Sequence, residues 1–578
     1  MYFKNSFLII ILLLLFSSCT ETKYEYVQES FIIKSPKTSW IYYYDDLLLF
    51  SINFITNDII WESSIDGLLG TGNHLYSYLN PGLHVITAKV RDIEKSMSIN
   101  IAYRDSEEIR NLITGIPFEL KLNSGIYYPY LISYEASMLN NFKLSIANTI
   151  SNNNILNRSI DIPLRDIRID FNGNIVENNI PTRARSINEK AFFVENTLQN
   201  GSPPRLINFS LFHEGELHRI WIDNNNTVNT SALNSLTSII NEVLPQVLSM
   251  WNSYENINLN NKLTVLVTDV INQENIACGF FNPYDLFPKD LDYASLNFNP
   301  TSNEANIVYL AMPNNILDDS YYFKRLAATF IHELTHIITF SKKTLGKTEL
   351  WNLNSKREII SIDEGLSHLS ENIIGYSISG DNNRIINNFL ETTGFYSLFG
   401  RNGAGQFDSI GMRGAITLFL SWLFWEKGGY EWDKDGNIID LGGVSFLQAL
   451  IESDDIGPEN ISKVYGVPVE ILFQKMLAKI NSTRVTGEGN NSILHPKTGE
   501  PVNLFTGIEY YNHITDSIES IINPISYNNI NYSIHSLLPW SFAFLDPFNI
   551  QTGENIILTS ERLIGRVFLN LGKYFTSP

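Results

Sequence analysis

Between about residues 26 and 104, apolar and polar positions alternate with turn signals roughly every eight to twelve residues, the pattern of a small β-sandwich. Within it the Pro81-Gly82 turn feeds a strand that sets Ile86, Ala88 and Val90 on one face. His74 and His84 fall beside or within such strands and are expected to be surface or strand residues, not ligands. Residues 105–185 read as mixed strands and Asn-rich loops with no motif. Strand-like segments return from Leu206 to Asp223, after which Leu233, Leu236, Ile240, Val243, Val247 and Trp251 recur at helical spacing. A β-rich run then covers Leu263 to Val270, followed by a Gly-turn segment, Cys278 to Pro283, and a strand over Asn306 to Met312. That strand is expected at a sheet edge, where an extended peptide can add beside it, although alternation of Ile307, Tyr309 and Ala311 suits a core strand almost as well. A helix is expected from Asp318-Asp319-Ser320, whose side chains can cap it, to Lys342 and Lys343, which suit its C-terminal end. Further helices are expected over Ile416 to Glu426, Phe446 to Ile451 and Val469 to Ile480, with strand-like patterning, including Ile556 to Leu571, beyond about 486.

A chain of 578 residues exceeds what one hydrophobic core organises, so roughly three or four domains are expected. Hydrophobic residues at 44% and charged residues at 18% indicate a globular chain. The formal net charge of -20 excludes nucleic acid as a natural partner, because the average surface repels phosphate. Lys4, an apolar run from Phe7 to Phe16 and Ser17-Ser18-Cys19 resemble a bacterial lipoprotein signal peptide, with Cys19 the lipidated residue. Residues 1–18 are then the signal and 19–25 a tether, the chain being held by lipid at a bacterial cell envelope, on an outer membrane or cell surface. Cys278 is then left without a disulfide partner and reads as a small buried apolar residue. Residues 26–104, with Trp61 and the loop Asp66 to Gly72, resemble bacterial immunoglobulin-like modules of the PKD type.

The candidate chemistry lies inside the helix. His332-Glu333-Leu334-Thr335-His336 sets two imidazoles four residues apart on one helical face, close enough to share a zinc ion, with Glu333 placed to act on water. Leu326, Phe330, Ile331, Ile337 and Ile338 surround the motif, and burying two histidines and a glutamate among them without a metal would be costly. A third ligand is offered by Ser361-Ile362-Asp363-Glu364-Gly365-Leu366-Ser367-His368 on a second helix, where Glu364 and His368, four residues apart, both face one way.

His-Glu-x-x-His followed by a separate helix bearing Glu-Gly-Leu-Ser resembles the gluzincin metallopeptidases, and most the hyicolysin family. Ile220 to Asp223, Val267 to Asp269, Gly279 to Leu286 and Gly414 to Leu420 extend the resemblance across about 186–485, roughly half the chain. It implies an α+β, thermolysin-like catalytic domain at 186–485, a zinc ion held by His332, His336 and Glu364, and Glu333 as general base and acid in hydrolysing peptide bonds of extracellular proteins. His368 then orients or supports. Asp363 stands where such families carry Asn, and Arg413 near an expected Tyr, so Arg413 or Tyr396 is a candidate donor to the oxyanion, although a surface or structural salt bridge is the favoured reading of Arg413 and core packing the plainer one of Tyr396. Residues 105–185 and 486–578 remain β-rich regions without assigned roles.

A surface adhesin that keeps a peptidase fold without activity is the rival reading, and the intact His332, Glu333 and His336 argue against it. Carbohydrate processing has no paired-carboxylate motif behind it. Asp433 to Asn437 has its Gly too early for a calcium loop and reads as a tight turn. His213, His218, His495, His513 and His535 lack ligand spacing and are expected at the surface or satisfied within the fold.

Overall fold

The computed structural model describes residues 31–102 apart from short loops, strands between 110 and 148, residues 188–486 apart from several loops, and strands between 493 and 573. The export-like segment, Cys19, the tether and His74 lie outside the described residues. Two compact units are present, residues 1–103 and 104–578. With several sheets in both and helices in the second, the chain is a multidomain α+β protein.

The first unit has a five-stranded sheet, in which Gly82–Val90 lies between Ile93–Ala102 and Ile59–Ser63, and a three-stranded sheet centred on Leu48–Ile52. Strand alternation works as expected: Ile86 and Ala88 are fully buried in one core with Phe50 and Trp61, whose ring centroids lie 5.4 Å apart. His84 is a strand residue, one of the two expected placements, and it faces inward. It is fully buried, its Nδ1 2.6 Å from Ser63 Oγ and its Nε2 2.6 Å from the Asn80 carbonyl oxygen, so both ring nitrogens are satisfied internally.

In the second unit, six strands form one sheet: β1 (Glu189–Val194), β2 (Arg205–Glu214), β3 (His218–Asp223), β4 (Leu263–Thr268), β5 (Gly279–Phe281) and β6 (Ile307–Ala311). Their order is β1-β2-β3-β4-β6-β5, with β3, β4 and β6 parallel and β5 antiparallel to β6. This corrects two expectations. The strand Asn306 to Met312 is not an edge, because β6 lies between β4 and β5 with all five residues buried. The edge is β5, drawn from the segment read as a Gly turn. Gly279 is required for close approach there, since a Cβ would stand 2.5 Å from the Tyr309 carbonyl oxygen and 2.8 Å from Thr329 Cγ2.

The helices follow as α1 (Thr230–Met250), α2 (Asp269–Glu274), α3 (Ser320–Phe340), α4 (Ile360–Ile374), α5 (Asn382–Glu391), α6 (Ile410–Glu426), α7 (Gly443–Glu452), α8 (Gly457–Tyr465) and α9 (Val469–Thr486). The stripe on α1 from Leu233 to Val247 is buried as its spacing predicts. Strand Gly125–Ser133 pairs with Ser541–Phe544, Phe548–Ile550 and Val567–Lys573, while Glu554–Arg562 pairs with Phe118–Lys121 and Asn141–Asn148. The β-rich segments on either side of 186–485 therefore share sheets. They also brace the helices, as Asn481 Nδ2 donates to the Tyr128 carbonyl at 2.7 Å and the Tyr134 ring meets Phe473 and Trp540.

In the short helical turn Pro283–Leu286 that follows β5, Asp285 is buried and receives hydrogen bonds from Tyr309 Oη at 2.5 Å and the Asn303 backbone N–H at 2.8 Å. Burial dominates these bonds and pushes its carboxyl up to about 7. A raised carboxyl binds its proton more tightly folded than unfolded, so its contribution to stability is fully present below about pH 4 and is lost as pH rises to about 7, a total of about 4 kcal/mol. Chemical denaturation of the parent and Asp285→Asn across pH 4–8 should show the parent losing stability relative to the variant by that order. A difference independent of pH would contradict it.

Candidate metal centre

The site is built on two helices that cross. On α3, Leu326, Phe330, Ile331, Leu334 and Ile338 are fully buried, which fixes the rotation of the helix and sends His332, Glu333 and His336 toward α4. On α4, Glu364, Ser367, His368 and Glu371 occupy one stripe at i, i+3, i+4 and i+7. Gly375 ends α4 with φ of 97°, in the left-handed region that favours glycine, and its N–H donates to the Glu371 carbonyl at 3.1 Å.

The two helices are tied together outside the cluster. Lys343, at the C-terminal end of α3 as the sequence suggests, is buried in the π-helical turn that follows it. Its Nζ donates to the carbonyls of Ser453 at 3.0 Å and Asp455 at 2.5 Å, and lies 3.4 Å from Glu358 Oε2, just ahead of α4. This buried cation links the end of one site helix to the start of the other.

At the crossing, His332 Nε2 lies 3.3 Å from Glu364 Oε2, and His336 Nε2 3.7 Å from Glu364 Oε1. The opposite ring nitrogens are held by other carboxylates: His332 Nδ1 is 2.7 Å from Glu371 Oε1 and His336 Nδ1 is 2.9 Å from Asp363 Oδ2. With Nδ1–H donated to a carboxylate in each case, both Nε2 lone pairs turn inward beside Glu364. The three inward ligand atoms lie within 4.8 Å of one another. A tetrahedral zinc ion with bonds of about 2.1 Å needs donors roughly 3.4 Å apart, so this set fits the ion. The carboxylate-bound outer nitrogens also fit the arrangement that orients metal-binding imidazoles.

Electrostatics follow from the packing. Burial opposes charge on His332, yet its hydrogen bonds to Glu364 and Glu371 outweigh this and raise its pKa well above the ordinary value. Burial likewise opposes charge on His336, but Asp363 and Glu364 raise it. For Glu364 burial favours the neutral acid, while His332, Arg413 and His336 together hold the carboxyl far below the usual range. These directions agree: without a metal, protons on the imidazoles pair with the carboxylate that would share the ion. Glu333 is pushed up, first by burial, with the nearby cations opposing.

His332, His336 and Glu364 are therefore brought together as the sequence suggested. His368 is not in that set. Its ring lies 4.6 Å from that of His332, and its Nδ1 is 3.0 Å from Glu371 Oε1, on the outer side of His332. A second grouping of His332, His368 and Glu371 is compact enough to hold an ion, but the 2.7 Å His332–Glu371 contact has the length of a hydrogen bond. Glu371 had no motif to announce it; its signal is the helical spacing of seven from Glu364. Arg413 reaches the cluster, with Nη1 2.7 Å from Glu364 Oε2. Tyr396 packs its ring against Gly411, and its hydroxyl is engaged by Thr392.

His213 and His218 differ from expectation, since Nε2 of each is buried without a hydrogen-bond partner, and burial pushes His218 down to about 4. Asp433 closes the hairpin between Tyr430–Trp432 and Ile438–Asp440, accepting the Asn437 N–H at 2.7 Å, as a tight turn requires. Cys278 is half-buried at the start of β5, and burial raises its thiol pKa, as suits an unreactive side chain. No family model and no curated protein sequence matches the chain.

Proposed function

We propose that this protein is a zinc-dependent endopeptidase of the gluzincin type, lipid-anchored through Cys19 at a bacterial cell envelope and acting on extracellular proteins. The observation that carries the reading is the convergence of His332 Nε2, His336 Nε2 and Glu364, with Glu333 between the two histidines on the same helix. When bound there, zinc would supply Lewis acidity and make its water more acidic. The chain's own residues do the rest. Asp363 and Glu371 fix the imidazole tautomers, and Glu333 takes a proton from the attacking water and returns it to the leaving amine. Its raised pKa brings it closer to the range in which one carboxyl can both accept and donate a proton.

Docking belongs to β5. It is the terminal strand of its sheet on this side, and Gly279 sets it against Thr329, one turn ahead of His332. An extended peptide can pair with that edge by backbone hydrogen bonds while remaining beside α3. The first unit, resembling a PKD-type module, serves as a stalk.

Full-length protein in detergent, incubated with an unfolded protein, is expected to generate new internal termini, detectable by mass spectrometry, and to stop doing so with a zinc chelator. Release of single terminal residues only would refute the endopeptidase reading, and cleavage indifferent to the chelator would refute the metal.

A further inference from the structure

Resting on the peptidase reading above, we propose that Arg413 is the residue that meets the negative charge forming on the scissile carbonyl oxygen. Two glycines seat α6 on its neighbours, Gly365 at the contact with α4 and Gly414 at the contact with α5. A Cβ on Gly365 would lie 2.9 Å from Leu420 Cδ1 and 3.0 Å from Ile416, and one on Gly414 would lie 2.1 Å from the Ile385 carbonyl oxygen. Without a side chain at Gly365, α6 lies against α4, and the first turn of α6 carries Arg413 to Glu364.

The guanidinium is fixed before any substrate arrives. Arg413 Nε donates to Asp408 Oδ1 at 2.8 Å and Nη2 donates to Asp408 Oδ2, a bidentate fork that sets the plane of the group. Nη1 is 2.7 Å from Glu364 Oε2, the same oxygen that lies 3.3 Å from His332 Nε2. A guanidinium carries N–H groups on all three nitrogens, two on each Nη. These contacts use one from each nitrogen, so each Nη keeps another beyond them, and the side chain is 28% exposed. An ion pair made only for stability needs Asp408 alone. The added contact with Glu364 places the charge at the reacting cluster, where it acts on Glu333 as well. A donor already held in position stabilises developing charge without reorganising, which gives it its catalytic value. Tyr396 has its hydroxyl on Thr392 and does not compete for the role.

In the reaction, the water oxygen bonds to the carbonyl carbon as Glu333 accepts its proton, and the carbonyl π pair moves onto oxygen, opposite the free N–H groups of Arg413. That pair then returns as the C–N bond breaks and the proton on Glu333 passes to the departing nitrogen.

The test compares parent, Arg413→Lys and Arg413→Met, full length in detergent, by zinc content and affinity, peptide kcat and KM, and affinity for a peptide carrying a phosphonamidate in place of the scissile bond. Both variants should keep one zinc and a similar KM, while kcat falls about 10²- to 10³-fold for Met and less for Lys. Phosphonamidate affinity should fall in parallel with kcat/KM. Free guanidinium should restore part of the rate to Arg413→Gly. Unchanged kcat, a loss explained entirely by missing zinc, or a fall in kcat with phosphonamidate affinity intact would overturn the assignment. A parent that binds zinc yet cleaves no peptide overturns the peptidase reading itself, a result distinct from any behaviour of the variants.

Discussion

Glu364→Ala is expected to come out of purification without stoichiometric zinc, whereas His368→Ala retains it. Glu364 presents both carboxylate oxygens to the inward nitrogens of His332 and His336, at 3.3 and 3.7 Å. Deleting it leaves two imidazoles, too few to complete a zinc site from protein atoms. It also removes the carboxylate that stands between Arg413 and the site, leaving the guanidinium paired with Asp408 alone and its charge unshielded from an incoming cation. His368 acts at one remove, through Glu371 Oε1 at 3.0 Å, and its loss should weaken zinc by the roughly 10- to 100-fold typical of residues that orient a ligand. Zinc content and affinity on folded variants decide the matter. Zinc held normally by Glu364→Ala and lost from His368→Ala would show that the ion sits on the Glu371 side of His332.

Glu333→Gln should separate chemistry from binding. The amide keeps the size of the side chain and half of its acceptor capacity, but it cannot take a proton from water. Peptide cleavage is expected to fall by about 10²- to 10⁴-fold, with zinc content and peptide affinity close to those of the parent. Because Glu333 touches the cluster only electrostatically, through His332, His336, Glu364 and Arg413, replacing it should leave the three inward donors in place. Parent-like turnover in this variant would assign the proton transfer to another group.

What the sequence could disclose follows the range of each signal. The two histidines and Glu333 were legible because four-residue spacing on an amphipathic helix is local, and the buried flank of Leu326 to Ile338 bears it out. Glu371 offered only its seven-residue spacing from Glu364, which puts it on the same face of α4 but does not say that His332 meets it where α3 crosses. The strand over Ile307 to Ala311 carried a usable signal that alternation obscured: five successive apolar residues suit a strand buried between neighbours, not an edge. Gly279 read as a turn because a three-residue strand is too short for periodicity, and because its glycine serves close packing on Tyr309 and Thr329. Pairing of Gly125–Ser133 with Ser541–Phe544 spans about four hundred residues, and both partners look like ordinary strands when read alone. Lys343 illustrates a further limit. A lysine at a helix end suggests a solvated charge near the dipole, whereas here the chain folds back to supply carbonyls and Glu358 around it.

The most direct measurement is a zinc titration of metal-stripped, full-length protein, with bound zinc and the rate of internal peptide-bond cleavage followed in the same sample. Three inward donors held by their neighbours make one complete site, so cleavage should be absent at the start, rise in proportion to zinc and level off at one equivalent per chain. Cleavage present before zinc is added, or an active site filled at one equivalent that hydrolyses no peptide bond, would contradict the account.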